Sequence, residues 1–156
     1  MKGMFSAFFL ELCLISAVLA TAQPAQATLG RPIDSIISDR KALSAALGAK
    51  KAYTGYTVQE IVSDSVRVRE YISPAGIIFG IAWNGLTHPD LTPLLGSYAR
   101  EYREALRQTP RTPGRRFSTV KTSRLVVEKW GHMRNLRGRA YAPALIPTGV
   151  SVDEIK

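Results

Sequence analysis

The sequence predicts an α+β domain, in which an antiparallel sheet of about five strands is packed by one amphipathic helix, with a shorter N-terminal helix. Three observations support this class. Segments of alternating apolar and polar residues fill the stretch from Tyr56 to Trp83, with turn residues between them. An amphipathic helical pattern follows Thr92. Two further strand patterns, Thr122–His132 and Leu136–Leu145, suit a C-terminal hairpin.

Residues 1–27 have the pattern of a signal peptide. Lys2 supplies a short positive start, and an apolar run extends from Met4 to Leu19. Ala25-Gln26-Ala27 then fits the small residues that a signal peptidase requires. We therefore expect an exported protein, periplasmic or secreted after the leader is removed.

Removal of this leader leaves residues 28–156 as a single α+β domain. Cleavage after Ala22 fits the pattern as well. An uncleaved anchor is the weaker interpretation, because Glu11 would place a carboxylate inside the bilayer. The only cysteine, Cys13, leaves with the leader, so the mature chain contains no disulfide. No later segment approaches the roughly 20 apolar residues of a membrane-spanning helix.

The central meander consists of the segments YTVQEIV, SVRVREYIS and IIFGIAW. A three-residue loop at Ser63–Ser65 gathers their apolar residues on one face, and a shared apolar face normally fixes the register of a sheet. The pairs in this register are Val62 with Val66, Glu60 with Val68, and Val58 with Glu70. A two-residue loop would instead place Glu60 opposite Arg67. We expect the first register, with its apolar face turned toward the long helix.

That register brings two acids to the apolar face. Glu60 and Glu70 become diagonal neighbours, with Cβ atoms about 7 Å apart or less. A carboxylate in apolar surroundings must find a cation, find hydrogen bonds or take up a proton. In a structural interpretation, they pair with arginines such as Arg137 or Arg139, or lie at the rim in water. In a catalytic interpretation, they act with His132 in a small hydrolase-like enzyme. The sequence leaves both open.

Helical patterns occur at three places. Ile33–Leu47 has mostly helical spacing, and Gly48 follows it as a stop signal. Thr92 and Pro93 have the residue types of a helix start, and an aromatic and aliphatic stripe then continues for about 15 residues. Ser151–Glu154 has the spacing of a capping box, which predicts a last helical turn.

Positive charge is concentrated in the later half of the chain. The formal net charge is +9, and residues 98–139 carry twelve basic against three acidic residues. This range includes a proline-rich loop, TPRTPGRR, that suits an extended polyanion contact. Export excludes nucleic acid as the partner, which leaves anionic lipid, anionic polysaccharide or an acidic protein. A positive surface that only maintains solubility is the alternative.

The C-terminal hairpin combines aromatic and basic residues. If the two strands present these residues on one face, they form a mixed binding patch, because arginine binds carboxylates or phosphates and aromatic faces stack on sugars or cations. Lys129 interrupts the apolar side of the first strand, so we expect a bulge at Gly131. The candidate ligand-binding residues are Trp130, His132, Arg137, Arg139 and Tyr141.

Metal and cofactor chemistry has little support in the sequence. The two histidines, His88 and His132, lie in different segments, and with Asp90 they have no spacing typical of a metal site. Glycine-rich phosphate loops and serine-elbow motifs are missing from the sequence. We therefore expect neither a metal nor a cofactor.

Eight short motifs in order along the chain resemble domain of unknown function family 2844, a family of small exported proteins of Gram-negative bacteria. The resemblance implies an exported single domain, and it implies no catalytic residues because the family has no established activity. The motifs are YTVQE (56–60), VREYIS (68–73), FGIAW (79–83), PDL (89–91), LLGSY (94–98), GHMR (131–134), GRAY (138–141) and PTGV (147–150).

Binding is the function that the sequence favours. We expect a non-enzymatic exported protein that contacts an anionic envelope component or a partner protein through its arginine-rich later half. Two alternatives remain at this stage. One is the hydrolase-like enzyme that uses Glu60, Glu70 and His132, and the other is a structural envelope protein without a small ligand.

Overall fold

The structure is a computed structural model, and it describes residues 29–110 and 116–156. Seven antiparallel strands form one sheet in the order β1-β2-β3-β4-β7-β6-β5. The strands are β1 (Ala46–Tyr53), β2 (Tyr56–Val62), β3 (Val66–Ile72), β4 (Ile78–Gly85), β5 (Phe117–Lys121), β6 (Val126–His132) and β7 (Asn135–Tyr141). The α-helices are α1 (Ile36–Ala42), α2 (Leu91–Leu95) and α3 (Ala99–Gln108). The α+β class is confirmed, but the sheet has seven strands where five were expected.

Two predictions fall on residues outside this description. The proposed signal peptide, residues 1–27, lies wholly outside it, and so does most of the basic loop, residues 111–115. Within the described ranges, no helix is long and apolar enough to cross a membrane.

The helices cover one face of the sheet, and the C-terminal segment covers part of the other. On the helix face, the three helices pack on a large apolar core that includes Val68, Ile81 and Trp83. On the second face, the C-terminal segment packs on a smaller core that includes Tyr71, Phe79 and Ile155. A sheet with two buried faces does not show the simple alternation of a sheet that is wet on one side.

The predicted register of β2 against β3 was wrong. Glu60 pairs with Arg69, and Gln59 pairs with Glu70, which shifts the alignment by one residue. The turn decides this alignment, because the Ser63 backbone N–H donates to the Val66 carbonyl at 3.0 Å. The prediction also assumed that the apolar residues of the meander share one face. In the structure, apolar residues of β2 are buried on both faces. A shift of one residue moves every side chain to the opposite face.

The N-terminal helix is shorter than predicted. A 3-10 turn, Ile33–Ser35, leads into α1, and the chain then leaves the helix through Ser44, whose φ is 48°. The residues after it form β1, an edge strand exposed along its whole length. An edge strand that buries neither face has no apolar periodicity to reveal it, which explains why it was missed.

The predicted long helix consists of α2 and α3, with a 3-10 turn at Gly96–Tyr98 between them. Asp90 caps its start, accepting a hydrogen bond from the Thr92 backbone N–H at 2.8 Å. Thr92 was the predicted cap. The predicted last turn is confirmed, because Ser151 and Glu154 form a capping box.

The C-terminal hairpin gains a third strand, β5, that pairs with β6 and was not predicted. The expected bulge at Gly131 was wrong, since β6 and β7 pair without a register shift. Lys129 explains why none is needed. Its side chain faces the helices, where its ammonium lies 5.5 Å from the centroid of the Tyr102 ring, an arrangement that stabilises a cation beside a core.

Candidate functional site

The two acids singled out in the sequence lie on opposite faces of the sheet. Glu60 faces the second side and is half-buried, with an Arg67 nitrogen 3.9 Å from its carboxylate. Glu70 faces the helices and is fully buried. The prediction that Glu60 and Glu70 form an acid–base pair is therefore wrong. The error follows from the predicted register, which was wrong by one residue.

Glu70 has a different acidic neighbour, which the sequence analysis missed. Asp39 of α1 is also fully buried, and the two carboxyl groups face each other. None of their four oxygens receives a hydrogen bond from another group in the described part of the chain. Burial, and then the neighbouring acid, hold the pKa of Glu70 well above its usual range. Burial also raises the pKa of Asp39 to about 6.

These acids are sealed from solvent. Their position between α1 and the sheet gives a substrate no access, and His132 lies exposed at the far end of β6 on the opposite face. Glu60, Glu70 and His132 thus do not converge, and the hydrolase-like arrangement is absent. No sequence pattern could have paired Asp39 with Glu70, because Asp39 lies on a helix, Glu70 lies on a strand, and 30 residues separate them in the chain.

The five residues of the predicted patch share the second face. Trp130 pairs with Arg137 across β6 and β7, and Arg139 and Tyr141 follow along β7. His132 lies on the same face, opposite Asn135 at the end of the hairpin. The structure nevertheless divides the patch, because the C-terminal segment covers one end and leaves the other uncovered.

Arg139 belongs to the covered end. Its Nε donates to Glu128 at 2.5 Å, and its Nη1 donates to the Val152 carbonyl at 2.9 Å. The suggestion that Arg137 or Arg139 neutralises Glu60 or Glu70 was wrong. The carboxylate beside Arg139 is Glu128, directly opposite it in the sheet. Tyr141, half-buried, packs with the small core of the second face. These two residues therefore attach the C-terminal segment to the sheet.

The uncovered end presents a straight line of polar and aromatic side chains, which we call the basic row. Its five residues are direct partners on adjacent strands, so their side chains project to one side. The basic row consists of Arg67 (β3), Asn84 (β4), Arg137 (β7), Trp130 (β6) and Phe117 (β5). Since neighbouring strands lie about 4.8 Å apart, the row is about 19 Å long.

The guanidinium groups of the two arginines in the basic row are exposed and can bind an anion. Arg137 is exposed and forms no ion pair within residues 29–110 and 116–156; its Nε donates to Asn135 at 3.1 Å. Arg67 is 53% exposed, and its distance of 3.9 Å from Glu60 is at the limit of an ion pair. Trp130 is half-buried and Phe117 is 48% exposed. The row thus offers two guanidinium groups, an amide and two aromatic rings.

Sequence reasoning found only the β6 and β7 members of this row. Arg67 and Asn84 lie far away in the chain and become neighbours only through the strand order. Phe117 lies on a strand that was not predicted. Arg116, the last residue of the predicted basic loop, directly precedes Phe117, and the central residues of that loop lie outside the described ranges.

His88 has a structural contact. The Trp83 indole N–H donates to its Nδ1 at 2.9 Å, so that nitrogen must be unprotonated. Burial, and then the charge of Lys129, lower the pKa of His88. His88, His132 and Asp90 do not come together. Among the described residues, no group of three or more His, Cys, Asp or Glu side chains is placed to hold a metal ion.

The fold is thus a seven-stranded antiparallel sheet with helices on one face and a partly covered, basic second face. Residues 25–155 match a protein family of unknown function, DUF2844, and the chain belongs to that family. The resemblance noted in the sequence is therefore confirmed.

Other comparisons are more remote. A search of curated proteins gave no match. Among solved structures, a cysteine-rich secretory protein from Staphylococcus aureus subsp. aureus Mu50 aligns with a TM-score of 0.44 and 11% identity. The alignment covers 75% of this chain and 45% of that one, so this chain spans less than half the length of the other protein.

Proposed function

We propose that this protein is an exported binding protein, periplasmic or secreted, that holds an anionic polysaccharide along the basic row. The observation that supports the proposal is the alignment of Arg67, Asn84, Arg137, Trp130 and Phe117 across five adjacent strands on an uncovered part of the sheet.

The chemistry of the row fits acidic sugars. A guanidinium group donates paired hydrogen bonds to a carboxylate or phosphate, and Arg67 and Arg137 supply two such groups. Trp130 and Phe117 add aromatic surface on which a sugar ring can lie. Between the two arginines, Asn84 supplies an amide that can donate to and accept from hydroxyl groups.

The shape of the row favours a chain molecule over a compact head group. The side chains follow one line about 19 Å long, set by the spacing of five strands. A flat line of this kind can contact several successive units of an extended polymer. The described row has no enclosing walls, and the two acids beside it, Glu60 and Glu128, each lie beside an arginine, so binding rather than bond cleavage is the activity we propose.

Retention on immobilised polygalacturonate, measured at increasing salt concentration, tests the proposal. We expect R137Q and W130A each to weaken binding about tenfold, a loss on the scale of one charge-assisted contact or one stacked ring. Binding of the parent protein should weaken with salt, because exposed charges are screened.

The matched control is R100Q, which removes the same charge from an exposed position on α3, in the helix layer. It should bind like the parent protein. Equal losses in R100Q and R137Q would indicate a general charge effect and contradict the proposal. Binding to anionic phospholipid vesicles without binding to polygalacturonate would contradict it as well.

A further inference from the structure

A second concave site lies on the same face of the sheet, at its other end. The space of about 300 Å³ is bordered by β1, β2, β3 and the last residues of the chain. That volume is at the lower end for ligand sites and suits a single ring rather than a large cofactor. Its lining residues are Tyr53, Tyr56, Val58, Arg69, Tyr71, Glu154 and Lys156.

Three tyrosines form its aromatic walls. Tyr53 stacks on Tyr56 with ring centroids 5.0 Å apart and planes within 11°. Tyr71 lies 5.8 Å from Tyr56 on the other side. The Tyr71 hydroxyl donates to the Lys156 carbonyl at 2.8 Å and accepts from the Lys156 N–H at 3.0 Å, which fixes that wall. The pocket is therefore already formed.

Arg69 is the unusual member of this lining. It is half-buried, and its Nη2 donates to Asn84 at 3.2 Å. Its Nε is buried and has no acceptor in the described part of the chain. Glu60 lies directly opposite Arg69 on β2, yet the ion pair that Glu60 forms is with Arg67. Within residues 29–110 and 116–156, no carboxylate lies within 4 Å of Arg69.

Glu154 does not form an ion pair with Arg69. Its carboxylate accepts a hydrogen bond from the Ser151 backbone N–H at 3.0 Å and lies within hydrogen-bond reach of the Tyr56 hydroxyl. A guanidinium group withdrawn from water without an anion carries an unfavourable desolvation energy, which a bound anion would offset. Both the cation and the aromatic walls point to the same kind of ligand.

We propose that this tyrosine pocket binds a small ring compound that carries one carboxylate. The carboxylate accepts hydrogen bonds from Arg69, and the ring lies against the tyrosine side chains. A uronic acid and a monocyclic aromatic acid share this chemistry. The inference does not depend on the basic row, because the two sites have no lining residue in common.

Titration calorimetry of the whole mature protein with D-galacturonate and with benzoate tests the inference. Binding of either acid supports it, and the acid that binds more tightly identifies the kind of ring. Galactose and benzyl alcohol are the matched neutral compounds, and we expect each to bind at least tenfold more weakly than its acid. Failure of both acids to bind, or equal affinity for acid and neutral partner, overturns it.

Two variants locate the binding. R69Q should weaken binding of the acid at least tenfold, and R100Q, which removes the same charge from an exposed position in the helix layer, should leave it unchanged. Y53A provides a second test, because Tyr53 is 45% exposed on an edge strand and its loss does not open the core. We expect Y53A to weaken binding several-fold; an unchanged affinity in Y53A and R69Q overturns the inference even where polygalacturonate still binds the basic row.

Discussion

The two faces of the sheet treat charged residues in opposite ways. On the helix face, two carboxyl groups are enclosed with no donor from the described chain, and burial raises the pKa of both. On the second face, three of the four arginines of β3 and β7 remain beside water or beside carboxylates, and the fourth, Arg69, borders the tyrosine pocket. The comparison shows that the helix face is built for packing, and that the second face keeps its charges available for contacts.

Two tryptophans provide the strongest test of this comparison. Trp83 is 1% exposed on the helix face, whereas Trp130 is half-buried on the second face. We expect W83A to lower the free energy of unfolding by about 3–5 kcal/mol, because it leaves a cavity in the core. W130A should cost roughly 1 kcal/mol or less while it weakens polygalacturonate binding. Urea denaturation of both variants measures the difference, and similar losses would mean that the two faces do not differ as described.

The buried acids give a pH test. The folded-state pKa of Asp39 is raised to about 6, and that of Glu70 is raised well above its ordinary value. A raised folded-state pKa gives stability that is complete below the unfolded-state pKa and is lost as pH rises through the folded-state pKa. A tenfold change in proton affinity corresponds to about 1.4 kcal/mol. The raised pKa of Asp39 therefore corresponds to a loss of about 3 kcal/mol of unfolding free energy once its carboxyl group has ionised.

We therefore expect the free energy of unfolding to decrease as pH rises from about 4 through 6 and beyond. E70Q keeps the shape of the side chain and removes its charge, so it should flatten this decrease and stabilise the protein at pH 8. E60Q, on the second face, should leave the profile unchanged. Urea denaturation at several pH values measures the profile, and a profile that E70Q does not alter would show that the pair ionises without penalty.

A smaller effect separates two arginines of the same strand. Arg139 joins Glu128 to the C-terminal segment, whereas Arg137 bonds only to the neighbouring Asn135 side chain in the described chain. We expect R139Q to lower the free energy of unfolding by about 2 kcal/mol, the cost of hydrogen bonds to a charged group. R137Q should change it by less than about 0.5 kcal/mol. Hydrogen exchange in residues 143–156 should increase in R139Q alone, and an increase in R137Q as well would contradict the distinction.

Local signals identified the regular elements that bury one consistent set of side chains. The bounds of β2, Tyr56–Val62, agree with the predicted segment, and the capping box at Ser151 forms as its spacing indicated. The strands that were missed, β1 and β5, are the two edges of the sheet. β1 is exposed along its whole length and β5 buries only Val120, so their sequences carry little of the periodicity on which prediction depends.

The site could be predicted only where its residues lie on one hairpin. The strands that carry Trp130 and Arg137 are joined by a two-residue turn. The pairing of these two residues therefore follows from alternation along β6 and β7. Arg67 and Asn84 join them through the order of strands in the sheet, which alternation cannot supply. The tyrosine pocket combines β1, β2, β3 and the last residues of the chain, so it too depends on long-range contacts.

The sequence by itself determined the α+β class, the family, the central meander and the basic hairpin, because these depend on local periodicity, turn residues and motifs. Tertiary structure decided which face each acid occupies and which arginines remain available. The physical reason is the period of two in a strand: a turn that shifts pairing by one residue exchanges the inside and the outside of every position. Because apolar side chains are buried on both faces, local hydrophobicity no longer distinguishes the two choices, and only the packing of the whole chain selects one.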